Sequence, residues 1–211
     1  MATYVEGRGW ANEVEPFGLV SEGAAGIAAI VLAVIALAGI SSVILASIVT
    51  IVIGVGLMVQ AFNSAAESNA GATAGATPEI GGEVMVDCLA GITGIILGIL
   101  ALVGINAAHL VPAALIVFGG ALLLSGALEM RPRPLPVAAA GPVQIVTLQG
   151  SAAAGGMEVM IGIAAIVLGI LSLIFMTSWV LVLVGFIAIG AAMLIVSATF
   201  SGAVTRLFSA A

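Results

Sequence analysis

Six apolar stretches punctuate the chain, at approximately residues 23–40, 43–62, 84–105, 108–128, 157–176 and 179–200. Each is close to the ~20 residues that cross ~30 Å of hydrocarbon at a rise of ~1.5 Å per residue. They predict six transmembrane helices and an all-α, polytopic membrane fold. Membrane β-strands need short alternating segments, and the sequence has none.

The pattern is written three times. Glu22, Gly26, Ile27, Ile30, Leu32 and Leu37 recur as Asp87, Gly91, Ile92, Ile95, Leu97 and Leu102, then as Glu158, Gly162, Ile163, Ile166, Leu168 and Leu173. One constant shift takes Glu22 to Asp87, and a second takes Asp87 to Glu158. The same two shifts carry Leu45, Ile51 and Gly54 onto Leu110, Ile116 and Gly119, then onto Leu181, Ile187 and Gly190. Each unit is a two-helix hairpin and holds an even number of spans, so all three enter the membrane from one side. Parallel repeats about an axis along the membrane normal follow, and with them a pseudo-threefold arrangement; inverted-repeat transporters need the opposite relation.

The boundaries read as an N-terminal lead-in (1–21), hairpin repeat 1 (22–62), a linker (63–83), hairpin repeat 2 (84–128), a Pro-rich linker (129–156), hairpin repeat 3 (157–200) and a C-terminal tail (201–211). The first linker has the Ala, Gly, Ser, Asn and Thr of a flexible connection. The second opens with Pro132, Pro134 and Pro136, which favour an extended path, and Val143–Leu148 suits a short strand. Pro112 is expected in the first turn of its helix, where proline is tolerated.

On a wheel of 100° per residue, Glu22, Gly26, Ala29 and Ala33 fall within about 60° of one another. Their counterparts are Asp87, Gly91, Gly94 and Gly98, and Glu158, Gly162, Ala165 and Gly169. Lipid tails are as apolar as leucine, so small residues that let backbones approach, rather than hydrophobicity, join helices in a bilayer. The stripe is therefore the expected packing face, with Gly54, Gly119 and Gly190 as the matching notch on the second helices. The Ile, Val and Leu opposite it are left for lipid.

Composition supports the membrane reading. The chain of 211 residues is 63% hydrophobic and 7% charged, with a mean hydropathy of +1.38, whereas soluble domains carry roughly 25% charged residues. No basic n-region precedes the first apolar run, as a cleavable signal would require; Glu13, Glu15 and Glu22 stand there instead. With six spans, all four Arg and all ten carboxylates share one face, and His109 is the one titratable side chain on the other. Positive residues mark the cytoplasmic side, so both termini of this multi-pass protein are expected in the cytoplasm, with the chain in the cell (inner or plasma) membrane. A net charge of −6 argues against nucleic acid, which needs a basic surface.

Candidate chemistry is sparse. Cys88, alone, excludes an internal disulfide. His109 and Cys88 lie at opposite ends of adjacent helices, and a metal needs three or four convergent donors. No catalytic set, metal site or cofactor is expected. Ser47, Thr50, Thr93 and Ser172 can bond back to their own helices. Glu22, Asp87 and Glu158 have two readings. An acid in the first turn of a helix offsets the helix dipole by ~0.3–1 kcal/mol. Alternatively, three acids at one depth form a carboxylate ring at a pore mouth.

The run Gly91-Ile92-Thr93-Gly94-Ile95-Ile96-Leu97-Gly98-Ile99-Leu100-Ala101-Leu102, followed by Leu122-Leu123-Leu124-Ser125-Gly126, resembles the HdeD family of small bacterial and archaeal membrane proteins. The resemblance covers the three hairpins and not the long loops. It implies repeated two-helix units making six spans, an association with acid stress in some members, and no defined enzymatic activity. The expected function is non-enzymatic: assembly with itself or with other membrane protein subunits, in contact with membrane lipid. The alternative is a cation or proton conduit with the three carboxylates at its cytoplasmic mouth.

Overall fold

The structure, a computed structural model, describes the backbone of residues 11–71, 82–129, 142–175 and 179–209, and side chains within 23–66, 82–128, 155–175 and 179–197. It is all-helical, with six helices: α1 (Ala11–Leu37), α2 (Ser42–Gly71), α3 (Gly82–Leu102), α4 (Ala107–Glu129), α5 (Pro142–Phe175) and α6 (Trp179–Ser209). Five, α2 to α6, are long and apolar enough to cross a membrane; in α1 the described apolar stretch is Gly23–Leu37.

Several boundaries differ from the sequence expectation. Residues 11–21, expected as a lead-in, belong to α1, and α6 runs through most of the expected tail. α2 continues through half of the first linker to Gly71. Ala65, Ala66 and Glu67 are strong helix formers, and glycine, the weakest after proline, first appears at the end of that run. The expected strand Val143–Leu148 is helical: Pro142 opens α5 at a position where its fixed φ suits a helix, and Ala152–Ala154 carry it on. Asn106 caps α4 one residue earlier than expected, so Pro112 falls in the second turn rather than the first. There its ring leaves the Ala108 carbonyl without its usual donor.

Two of the hairpin turns share one backbone. Gly39 and Gly104 take φ of 90° and 92°, and Ser41 and Asn106 both take φ of 44°. At the end of α3 the Gly104 N–H donates to Ala101 O (3.1 Å) and the Ile105 N–H to Leu100 O (3.1 Å), a Schellman closure of the helix. A side chain at φ near 90° is strained, which explains the glycines.

The helices form two layers. α2, α4 and α6 touch one another in the middle, and α1, α3 and α5 lie outside, each against two of the central helices. Among the described residues the outer three do not contact each other. The largest fully buried side chains all come from the central helices, including Ile53, Phe118, Phe186, Ile189 and Met193. The outer helices expose Ile27, Val31 and Val34 on α1, Leu89, Ile92, Ile96 and Ile99 on α3, and Met160, Ile163, Val167 and Ile174 on α5. Soluble folds rarely expose apolar faces of this extent, and with five helices long and apolar enough to cross a bilayer the chain is built as a membrane protein.

Candidate functional site

Three close backbone approaches between helices are glycine on glycine. A Cβ added to Gly54 would stand 2.8 Å from Gly91 O, and one on Gly91 would stand 2.7 Å from Gly54 O, between α2 and α3. Gly119 and Gly162 repeat the arrangement between α4 and α5, at 2.7 and 2.6 Å. Gly26 and Gly190 repeat it between α1 and α6, at 2.8 and 2.9 Å. Real Cβ atoms do not come this near a carbonyl oxygen, so each pair requires glycine on both sides. The contact joins the first helix of one hairpin to the second helix of the hairpin before it, and α1 with α6 closes the circle.

The remaining stripe residues extend these contacts. Ala29, Ala33 and Ala165 are wholly buried, and Gly98 and Gly169 are buried too. Gly98 faces Ile51 and the Ser47 carbonyl on α2, and Gly169 faces Ile116 and the Pro112 carbonyl on α4. Gly94 differs: it receives the ring of Phe118 from its own hairpin partner, α4.

The acids occupy separate contacts. Asp87 on α3 is 1% exposed and Glu158 on α5 is 2% exposed. Glu158 Cβ sits where a Cβ of Gly126 on α4 would be 3.0 Å away. Among the described residues α3 and α5 do not touch, so the two acids stand on separate outer helices. The side chain of Glu22 lies outside the described residues. Glu158 stands several turns inside α5, which begins at Pro142, and Glu22 stands well inside α1, which begins at Ala11. A helix dipole acts only within the first turn, so the first-turn reading fails for both. Asp87 lies in the second turn of α3, which begins at Gly82.

Other polar groups are turned inward on their own helices. Ser47 donates to Val43 O (2.9 Å), Thr50 to Ala46 O (2.8 Å), Thr93 to Leu89 O (2.7 Å) and Ser125 to Ala121 O (2.9 Å). His109 donates from Nδ1 to Asn106 Oδ1 (2.7 Å), a local bond at the start of α4.

Sequence reasoning missed the central layer. Gly56 accommodates the Met193 methyl and Gly185 accommodates Leu115. The signal was present in the repeat alignment: Val49-Thr50, Ala114-Leu115 and Gly185-Phe186 are aligned pairs in which one residue shrinks as the other grows. All six are buried. No protein-family model matches the chain, and no curated protein or solved structure matches it.

Proposed function

We propose that this is a non-enzymatic, six-span membrane protein that works by assembly, as a homo-oligomer or as an accessory subunit of a larger membrane complex. Its three hairpins form parallel repeats around a pseudo-threefold axis, and both termini face the cytoplasm. The observation that carries the reading is the division of labour between layers. Large side chains such as Ile53, Phe118 and Ile189 fill the middle, while α3 and α5 turn unbroken apolar faces outward. A bundle filled at its centre offers its periphery for contact, and small residues already mediate helix contacts throughout it. The resemblance to the HdeD family suggests a role in stress.

Native mass spectrometry of the protein taken from its own membrane in mild detergent tests this. A defined oligomer or a stoichiometric co-purifying membrane subunit is the expected result. A bare monomer across detergents and lipid mixtures would remove the assembly reading.

The conduit is the second reading, and the burial of Asp87 and Glu158 at the ends of their spans favours it, because ionisable residues in spans mark ion paths. Proton flux into proteoliposomes that vanishes in Asp87→Asn and Glu158→Gln variants would establish it.

A further inference from the structure

Pro112 leaves one carbonyl of α4 without its donor, and one buried hydroxyl on α5, that of Ser172, closes onto no carbonyl of its own helix. We infer that Ser172 and the Ala108 carbonyl hold a bound water molecule between them, which ties the C-terminal end of α5 to the start of α4.

The chemistry of the two groups comes first. In a helix the carbonyl of Ala108 would accept from the N–H of residue 112, and proline has none. Among the described residues, Ser47, Thr50, Thr93 and Ser125 each donate to a carbonyl four residues back. Ser172 makes no such bond, although it is only 5% exposed. Burying a hydroxyl or a carbonyl without a partner is costly, and a bilayer offers neither one a partner.

The helix register sets the two at one level. Gly126 lies against Gly155 and Glu158, Gly119 against Gly162, and the Pro112 carbonyl against Gly169 (3.1 Å from an added Cβ). α4 and α5 therefore run antiparallel, and the buried stripe Gly155, Glu158, Gly162, Ala165 and Gly169 continues at helical spacing to Ser172. Ser172 stands ~4.5 Å beyond Gly169 along α5, and the Ala108 carbonyl stands ~6 Å beyond that of Pro112 along α4. Among the described residues they form no direct hydrogen bond. A water between them accepts from the hydroxyl and donates to the carbonyl, which gives it the two polar partners that a buried water needs. Both residues lie within a turn of the ends of their spans, Ala107–Leu128 and Gly155–Phe175, where interfacial water is at hand.

Comparison of the three hairpins, which rests on the repeat reading above, points the same way. Pro112 aligns with Ser47 in the first hairpin and Leu183 in the third. The Ser47 hydroxyl donates to Val43 O, the counterpart of the Ala108 carbonyl. Ser172 aligns with Ala36 and Ala101, both buried. The one serine at its position thus faces the one proline at the other.

A double-mutant cycle on the full chain in bicelles, with Ser172→Ala, Pro112→Ala and both together, tests the pairing. With the proline present, Ser172→Ala should lower the folding equilibrium constant at least ~3-fold, in the range of interhelical hydrogen bonds in membranes. In the Pro112→Ala background the backbone donor is restored, and the same change should cost less than ~1.5-fold. Equal penalties in the two backgrounds overturn the inference. The cycle involves α4 and α5 alone, so it decides the pairing whether or not the three hairpins are true repeats.

Water-edited solid-state NMR of serine-labelled protein in proteoliposomes tests the bridge itself. The Ser172 signal, assigned by its loss in Ser172→Ala, should receive magnetisation from water at least ~2-fold faster than that of Ser47, which is buried and closed onto its own helix. That transfer should fall in Pro112→Ala. Transfer to Ser172 no faster than to Ser47 overturns the bound water.

Discussion

A Cβ placed on Gly94 would fall within the ring of Phe118. The repeat alignment matches this pair with Ala29 and Ile53 in the first hairpin, and with Ala165 and Ile189 in the third. Where the second helix carries the larger ring, the first helix carries no methyl. Interiors are packed too densely to absorb an extra carbon freely. Gly94→Ala alone is therefore expected to destabilise the protein by about 1–3 kcal/mol. Gly94→Ala with Phe118→Ile recreates the pairing of the other two hairpins and should recover most of that loss. Reversible unfolding of the four proteins in mixed micelles, read as a double-mutant cycle, measures the coupling. Additive penalties would show that ring and glycine do not share one space.

At the scale of helices, tight turns and close contacts make different demands on glycine. Gly39 and Gly104 have open space around the missing Cβ, so only their positive φ explains them. Gly54, Gly91, Gly119, Gly162, Gly26 and Gly190 sit in ordinary helix and are required by the opposite backbone. Gly162→Leu would drive a side chain into Gly119 O and the Leu123 backbone. It is expected to separate α4 from α5 and lower the melting temperature in detergent by well over ~5 °C, as a shift of several kcal/mol implies. A Cβ added at Gly120 on α4 meets nothing within contact distance, so Gly120→Ala should leave the melting temperature nearly unchanged. The first-helix stripes were legible in the sequence because small residues recur at one angular position in three copies. The extra turns of α1, α2, α5 and α6 were not, because a helix extending past the apolar segment leaves no hydropathy signal. The first-turn reading of Glu22 and Glu158 fails for the same reason: the starts of their apolar runs are not the starts of α1 and α5.

For the whole molecule, the central triangle of α2, α4 and α6 links all three glycine contacts, since each of those helices makes one of them. Its residues gain little from leaving water, because the surrounding lipid is equally apolar; their contribution is close packing. Loss of a central side chain should weaken every contact together, whereas loss of an outer one only exchanges side-chain surface for lipid. Phe118→Ala removes a fully buried ring and is expected to cost about 3 kcal/mol, at the low end for such truncations because the apolar transfer term is small in a bilayer. Ile163→Ala removes a side chain that is 47% exposed on α5 and, in the isolated chain free of any assembly partner, should change stability by no more than about 0.5 kcal/mol, as surface substitutions do. Steric trapping or denaturant unfolding in bicelles compares the two directly. If Ile163→Ala proves as damaging as Phe118→Ala, the outer face of α5 is packed against protein in the membrane, and lipid is not its neighbour.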